Sequence, residues 1–259
     1  MDLLNPLAGF LVGVLVGFTG VGGGALMTPL LVFLFGVAPQ TAIGTDLLFA
    51  ALTKGAGVWV HGARGSIDWL VLRRLTLGSL PAALVTLVLL HHFPEQRQMG
   101  ALLLPVLGVA LLLTSAAMLF QRSLHELGQR LRTTKPDNFK QAQPGLTVVA
   151  GALLGFLVTL TSVGAGALGV VMLVYLYPYR LTPPKLVGTD IAHAIPLTLV
   201  AGLGHWRLGN VDFSLLASLL LGSIPGIILG SRLGINVDRI HVRNAIAVML
   251  AFVGGKLLL

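Results

Sequence analysis

Long apolar stretches separated by short polar connections follow one another along the whole chain. Eight of them stand out, at 3–36, 47–60, 75–90, 101–120, 146–177, 191–204, 213–230 and 245–259. A helix that crosses a bilayer needs about 20 mostly apolar residues, and weakly polar neighbours such as 41–46 extend the shorter stretches toward that length. The pattern predicts an all-α polytopic membrane protein that has no separate soluble domain.

The second half of the sequence repeats landmarks of the first half. At an offset of 142 positions, segment 9–26 aligns with segment 151–168, and both contain a cluster of small residues. At an offset of 144, the aligned landmarks are Gly44-Thr45-Asp46 with Gly188-Thr189-Asp190, 65–69 with 209–213, and 78–81 with 222–225. This spacing indicates a duplication, with a first transmembrane repeat at 1–120, a linker at 121–144 and a second transmembrane repeat at 145–259. Such duplication is common in secondary transporters.

Each repeat opens with an apolar segment that small residues interrupt. As a single helix, 3–36 would be about 51 Å long, whereas the hydrocarbon core of a bilayer is about 30 Å thick. A break at 19–24 divides it into pieces of about 16 and 12 residues, each long enough to approach the midplane and return. We therefore expect a re-entrant hairpin, because non-helical backbone is tolerated at that depth when it lines a cavity. The alternative is one strongly tilted span.

The distribution of basic residues favours the hairpin. If both opening segments cross the membrane, the basic residues outside the spans divide ten against six, but with two hairpins they divide thirteen against three. Basic residues concentrate on the cytoplasmic side. Each repeat then consists of a Gly-rich broken hairpin followed by three transmembrane helices. Three is an odd number, so the repeats are inverted, the linker is cytoplasmic and both chain ends face outward.

The net charge of +8 does not indicate a nucleic-acid partner in a chain of this kind. Basic loops of membrane proteins set orientation and touch anionic lipid head groups. Within the linker, Leu124, Leu127 and Leu131 fall at helical spacing, which predicts a short interfacial helix; a solvated loop is the alternative. The chain has no cysteine, which excludes disulfides and thiolate metal sites, and we predict no metal and no cofactor.

The two interruptions are candidates for an anion site. Helix N-termini attract anions, and inverted repeats bring two such ends together from opposite membrane faces. Glycine lets the backbone approach a ligand, and hydroxyl groups can donate hydrogen bonds. The predicted binding residues are Thr19, Gly22, Gly23, Gly24, Thr161, Ser162, Gly164, Ala165 and Gly166. The alternative is close helix packing, for which small residues are equally suited.

Two repeated aspartates are predicted to lie inside the membrane. Pro39 and Pro183 fit the first turns of the next helices, which places Asp46 and Asp190 about 10 Å further in. A carboxylate at that depth is functional by default, so these two residues are candidates for proton coupling or for pairing with a cation. The alternative is that each aspartate helps to cap a helix.

Two further polar residues belong to the same predicted site. Lys54 is the one basic residue that falls within a predicted span, where it could neutralise an anionic substrate or pair with Asp190. His193 follows Asp190 by one helical turn and is suited to hydrogen bonding or proton exchange; a buried structural histidine is the alternative. His205, at the end of a span, is assigned to interfacial structure.

These motifs resemble the TauE/SafE sulfite exporter family, also called the TSUP transporters. The resemblance covers nearly the whole chain and rests on the two small-residue clusters, the repeated Gly-Thr-Asp and the segment 61–69. It implies a carrier in the bacterial inner membrane that moves small sulfur-containing anions such as sulfite, sulfoacetate or related organosulfonates. In that membrane the outward-facing termini predicted from the basic residues would be periplasmic. We expect a secondary transporter, an exporter, that alternates access around a midplane anion site and is not an enzyme.

Two other functions fit parts of the pattern. An anion channel would use the same backbone cradle, and an intramembrane hydrolase would use Ser162 as nucleophile with His193 as base. The expected partners are a small anion and membrane lipids, and the pattern carries no signal for a particular oligomeric state.

Overall fold

The helical character predicted from the sequence is confirmed. A computed structural model describes residues 4–19, 24–61, 67–92, 96–134, 136–233 and 239–259, and within these ranges it contains no β-strand. The helices are α1 (Leu4–Thr19), α2 (Gly24–Phe33), α3 (Pro39–His61), α4 (Trp69–His91), α5 (Gln96–Leu119), α6 (Gln121–Thr134), α7 (Pro136–Thr161), α8 (Ala167–Leu176), α9 (Pro183–Arg207), α10 (Phe213–Leu233) and α11 (Arg239–Leu258).

Among the described residues, six helices are long and apolar enough to cross a membrane, namely α4, α5, α7, α9, α10 and α11. Helix α3 also has 23 residues, and it carries Asp46 and Lys54. Side chains such as Leu84, Val88 and Leu221 are more than half exposed. Exposed leucine and valine on this scale are expected where lipid is the solvent, and the chain is a multi-pass membrane protein.

The second opening segment is interrupted where the small residues predicted a break, and in the first the described helices end at Thr19 and begin again at Gly24. Helix α1 has 16 residues and α2 has 10, close to the predicted pieces. The two helices of the second segment differ more in length. Helix α7 begins at Pro136, inside the predicted linker, and has 26 residues, whereas α8 has 10. A helix of 10 residues is about 15 Å long and cannot cross the hydrocarbon core alone.

The helix predicted within the linker is present as α6, and its interfacial placement stays a prediction. It packs against α8 at Gly128, where a Cβ atom would overlap the carbonyl oxygen of Tyr175. His125 lies on the same face, with Nδ1 3.4 Å from the carbonyl oxygen of Val174. The linker is therefore packed onto the second repeat through its short helix.

The two halves exchange their opening helices. Helix α1 packs on α10, and its repeat equivalent α7 packs on α4, the equivalent of α10. At both interfaces a glycine meets a backbone carbonyl oxygen so closely that a Cβ atom would overlap it. The equivalent pairs are Gly9–Leu219 and Gly151–Leu75, Gly13–Ser223 and Gly155–Ser79, and Gly222–Pro6 and Gly78–Val148. Small residues let membrane helices approach in this way.

The contacts also give the direction of the chain in the first half. Gly222, Gly226 and Gly230 meet the carbonyl oxygens of Pro6, Phe10 and Val14 in order, so α1 and α10 run parallel. Helix α3 is parallel to α10 too. Thr45 contacts Asp212, just before the start of α10, and Thr53, further along α3, contacts Ser223 in the middle of α10. Helices α1 and α3 thus run in the same direction, which is the relation that the predicted hairpin requires; the hairpin itself stays a prediction.

Equivalent helices of the two halves run antiparallel. Along the contact between α3 and α9, the residue numbers increase in one helix as they decrease in the other, and the same holds for α5 and α11. The neighbours are Gly44 with His205, Leu48 with Gly202, Gly108 with Gly254, and Ser115 with Ala247. This is the relation between halves that inverted repeats have.

Candidate functional site

The second interruption, 162–166, lies between α7 and α8. Ser162, Gly164 and Gly166 have φ angles of 59°, 109° and 130°, where glycine pays no steric cost. Ser162 is the one non-glycine residue with a positive φ in the part of the chain that the structure describes. Holding a serine there costs about 1–3 kcal/mol, so the surrounding packing has to stabilise this conformation.

The two hydroxyl groups at this interruption are used differently. Thr161 Oγ1 donates to the carbonyl oxygen of Leu157 at 2.6 Å and accepts from the Val163 N–H at 3.1 Å. It therefore closes the end of α7. Ser162 Oγ is buried and has no hydrogen-bond partner among the described residues. Of the two predicted donors, Ser162 is the one whose hydroxyl group remains available.

Backbone N–H groups at the same place are also unpaired. Gly169 and Val170 donate to the carbonyl oxygens of Gly164 and Gly166. The N–H groups of Gly164, Ala165 and Gly166 have no backbone acceptor within the described ranges. Free N–H groups at a helix start carry a partial positive charge, so the interruption offers donors to an anion.

Lys54 reaches this interruption from the other half of the molecule. Its Nζ atom donates to the carbonyl oxygen of Ala165 at 2.7 Å, and its side chain is buried. Neither ion pair formed by the described residues includes Lys54. Asp190 and, more weakly, Asp46 balance its charge at longer range. A buried ammonium group thus lies beside the free N–H groups of the second interruption.

Asp46 lies between the two halves and is fully buried. Its Oδ2 atom accepts hydrogen bonds from the N–H of Thr28 at 3.1 Å and from Thr28 Oγ1 at 2.5 Å. Its Oδ1 atom has no partner in the described part of the chain, although the Ser162 side chain is near enough to interact with the carboxylate. Asp46 and Ser162 therefore face each other across the halves.

Asp190 occupies the equivalent position in the second half. Its Oδ1 atom lies against Gly169, where a Cβ atom would collide with it. In the first half the hydroxyl group of Thr28 binds the aspartate, but the aligned residue in the second half is Val170. Asp190 instead faces the charge of Lys54, so the two aspartates have different surroundings.

His193 is buried on α9, where its Nε2 atom lies 2.8 Å from Ser79 Oγ on α4. In the alternative prediction of a hydrolase, His193 is the base that activates Ser162, which requires a contact between the two side chains. That contact is absent, because Ser162 Oγ has no partner among the described residues. His193 thus joins the two halves through Ser79.

The first interruption is described only at its edges. Gly22 and Gly23 lie outside the described residues, as do Gly20 and Val21. Thr19 ends α1 and Gly24 begins α2. The binding role predicted for these residues stays a prediction.

Sequence reasoning missed a reciprocal link between the repeats. The N–H of Asp212 donates to Thr45 Oγ1 at 3.0 Å, and the N–H of Asp68 donates to Thr189 Oγ1 at 2.9 Å. Each Gly-Thr-Asp motif thus binds the start of a helix in the opposite half. The signal was the threonine that both motifs share.

Sequence reasoning did not foresee the burial of His205. The structure buries it completely, with Nε2 2.9 Å from the carbonyl oxygen of Thr159. It stands near the end of α9, where α7 covers it, and its placement at a membrane interface stays a prediction. Across the described ranges, no three His, Asp or Glu side chains come together as metal ligands would.

An ion pair joins the halves at one end of the molecule. Arg180 donates to Asp68 through Nε at 2.6 Å and Nη2 at 3.1 Å, and Asp68 also caps α4 by accepting from the Val71 N–H. The Arg180 guanidinium group holds the pKa of Asp68 below its usual value. At an offset of 144, Arg180 aligns with Gly36, so Asp212 has no equivalent arginine.

Replacing Asp68 with asparagine should lower the melting temperature, and the deficit should depend on pH. A carboxyl group whose pKa is lowered in the folded state contributes stability above its unfolded pKa, near 3.8, and loses it as the pH falls through the folded value. The difference from wild type should therefore be constant near neutrality and shrink below about pH 4. Asparagine keeps the cap, so the comparison isolates the charge.

The matched control is Glu126→Gln. Glu126 pairs with Arg122 on α6, where both side chains are more than half exposed, and such pairs contribute little. Melting curves from pH 7 to pH 3 should show no deficit for this variant. An equal, pH-independent deficit in both variants would contradict the role given to the Arg180–Asp68 pair.

A polytopic helical fold with buried polar side chains at a broken helix is typical of membrane transporters, and the comparisons with known proteins agree. The chain is 38% identical over 238 residues to the probable membrane transporter protein YjnA of Bacillus subtilis, covering 90% of each chain. It is 27% identical to the probable membrane transporter protein YdhB of the same organism, over 99% of this chain and 100% of that one. No solved structure matches the chain significantly.

The family is shown by a family model described as Sulfite exporter TauE/SafE, which matches residues 6–257. The chain therefore belongs to the TauE/SafE sulfite exporter family. A further relative is the probable membrane transporter protein MJ0441 of Methanocaldococcus jannaschii, 26% identical over 98% of this chain and 93% of the relative.

Proposed function

We propose that the protein is a secondary transporter that exports a small sulfur-containing anion, such as sulfite or an organosulfonate. The anion binds between the halves, at the second interruption and at its counterpart in the first half. Of the predicted cradle, Ser162, Gly164, Ala165 and Gly166 supply donors, and Lys54 supplies the positive charge. The family description supports the substrate class.

The observation that carries this proposal is the position of Lys54. It is the one lysine or arginine that is buried among the described residues, and its Nζ atom contacts the interruption at Ala165. Burying a charge is costly unless it is paired. A bound anion would pair with Lys54 and at the same time accept from the unpaired N–H groups and from Ser162.

The two aspartates provide the coupling in this proposal. Asp46 faces Ser162, and Asp190 faces Lys54, so both carboxylates sense whether an anion is bound. Buried carboxylates in membrane proteins are common carriers of coupled protons. Proton uptake at either residue would favour an anionic substrate beside it, which links anion movement to a proton gradient.

Alternating access would use the exchanged packing of the two halves. Helices α1 and α10 form one unit, and α4 and α7 form the other, while His193–Ser79, Thr45–Asp212 and Thr189–Asp68 are polar links between the halves. Rocking of packed units around a fixed midplane site is the usual movement of inverted-repeat carriers. Helix α3, which carries Asp46 and Lys54, contacts both units through α10 and α7.

The proposed placement in the bacterial inner membrane puts the linker in the cytoplasm and both termini in the periplasm. The test uses single cysteines, because the chain has none. Ala38→Cys, in the exposed turn before α3, should react with an impermeant maleimide added to intact spheroplasts. Thr134→Cys, at the exposed end of α6, should react only after lysis. The opposite pattern would overturn this orientation.

Uptake into proteoliposomes tests the function. Labelled sulfite, thiosulfate, sulfoacetate and taurine are offered with and without an imposed pH gradient. At least one should show saturable flux that competing unlabelled anion reduces and that the gradient changes. Absence of saturable flux for all of them would contradict the transport proposal. An anion channel would instead show conductance that rises with driving force without saturating.

A further inference from the structure

A cavity of about 230 Å³ lies at the linker end of the second repeat, away from the interruptions. The end of α6, the early part of α7 and the turn that follows α8 surround it. Its lining residues are Arg132, Gln143, Tyr177, Pro178, Tyr179 and Arg180. None of these six side chains is acidic and two are arginines, so the cavity is suited to an anion.

Arg132 has a hydrogen-bond donor that lacks an acceptor among the described residues. Its Nη1 atom is buried and has no acceptor among the described residues. A guanidinium nitrogen excluded from water without an acceptor costs free energy. Arg180, the other cation of the cavity, is 49% exposed in its side chain and binds Asp68 with Nε and Nη2. Arg132 therefore needs an acceptor that the described residues do not provide.

Tyr177, one of the two tyrosines that line the cavity, is in contact with a third arginine that is not itself part of the lining. Arg74 Nη1 donates to Tyr177 Oη at 3.3 Å. Thr147 Oγ1 donates to the carbonyl oxygen of Gln143, so in the Tyr177–Thr147 contact of 2.8 Å the tyrosine is the donor. The Tyr177 hydroxyl proton is thus already used, and the hydrogen bonds to a ligand come from the arginines. Of the two ion pairs among the described residues, one places Asp68 beside these arginines, through Arg180.

We propose that this cavity binds a phosphate group, held by Arg132 with support from Arg180 and Arg74. The planar guanidinium group matches two oxygens of a phosphate, which makes arginine the usual residue for such sites. The volume suits a phosphate or a lipid head group and is smaller than that of most sites for larger ligands. The phosphate can belong to an anionic lipid or be free in solution, and the two sources share this chemistry.

The site lies where it can act on transport. Gln143 lines the cavity and its Nε2 atom donates to the carbonyl oxygen of Leu176, the last residue of α8. The turn from Tyr177 to Arg180 connects α8 to α9, and Arg180 forms the ion pair between the halves. A phosphate in the cavity therefore contacts the base of the second hairpin, which is separate from the anion site proposed at its tip.

The test measures binding to the full chain with two probes. Inorganic phosphate is titrated in neutral detergent by calorimetry, and phosphatidylglycerol is titrated by native mass spectrometry against phosphatidylcholine. We expect saturable binding of at least one probe. Arg132→Gln should weaken it by about tenfold or more, as expected for loss of one charge-assisted contact. Arg130→Gln removes the same charge from an exposed position on α6 and should change affinity less than about twofold.

Arg132→Lys keeps the positive charge but removes the planar guanidinium group that can bind two phosphate oxygens. This variant should have an intermediate affinity for the probe and a melting temperature like that of wild type. Binding of phosphatidylglycerol alone identifies a lipid site, and binding of phosphate alone identifies a soluble ligand; either supports the proposal. Failure of both probes to bind saturably would overturn it. So would equal losses in Arg130→Gln and Arg132→Gln, because binding would then follow net charge and not the cavity.

Discussion

Replacing Lys54 with methionine is expected to reduce saturable anion transport by about 30-fold or more, since truncating one partner of a buried charge pair costs about 2–5 kcal/mol. Methionine has a similar length and fills the same apolar space, so the change removes mainly the charge and the contact with Ala165. Initial rates of anion uptake into proteoliposomes, measured against concentration, give KM and maximal rate.

Two further variants separate binding from folding. Lys54→Arg keeps a positive charge beside the second interruption and should retain part of the transport. Lys140→Met removes an exposed lysine near the start of α7 and should leave both KM and maximal rate unchanged. If Lys54→Met lowers only the melting temperature and the folded protein transports normally, Lys54 serves only to hold the backbone at Ala165.

Replacing Gly155 with alanine is expected to lower the free energy of unfolding by about 1–3 kcal/mol, the range for overpacking a tight contact. Gly155 lies on α7 against α4, where an added Cβ atom would overlap the carbonyl oxygen of Ser79. The helices would have to separate, and the close contacts along the whole interface would weaken. Denaturant titration in mixed micelles measures the change.

The same helix offers the control. Gly145 has nothing within 4 Å of the position of a Cβ atom, so Gly145→Ala should stabilise the helix by up to about 1 kcal/mol. Gly13→Ala tests the equivalent interface, where Gly13 meets Ser223, and should resemble Gly155→Ala. Equal effects of Gly145→Ala and Gly155→Ala would contradict the packing described for α7.

The sequence predicted what depends on local pattern and on the repeat. The interruptions could be predicted because glycine-rich clusters of small residues lie inside apolar segments that are too long for one span. Pro183 at the start of α9 and Pro39 at the start of α3 fixed two helix boundaries. The start of α7 was different, because the polar residues 136–144 continue a helix whose apolar part begins later, and hydropathy does not mark such a boundary.

Contacts between distant parts of the chain were beyond sequence reasoning. The partner of Asp46 is Thr28, on the returning helix of the hairpin, and the partner of Lys54 is the carbonyl oxygen of Ala165, more than a hundred residues away. Both depend on how the halves dock. The burial of His205 has the same origin, because α7 covers a helix end that the sequence placed at an interface.

The exchange of opening helices gives the molecule the geometry of a domain-swapped dimer whose two members are joined in one chain. Helix α1 completes the packing of α10, and α7 completes that of α4, so neither half covers its own glycine face. A polypeptide made of one half would need a second copy, inserted in the opposite orientation, to bury the same surfaces. The linker makes this pairing intramolecular and keeps the two members at a fixed ratio of one to one.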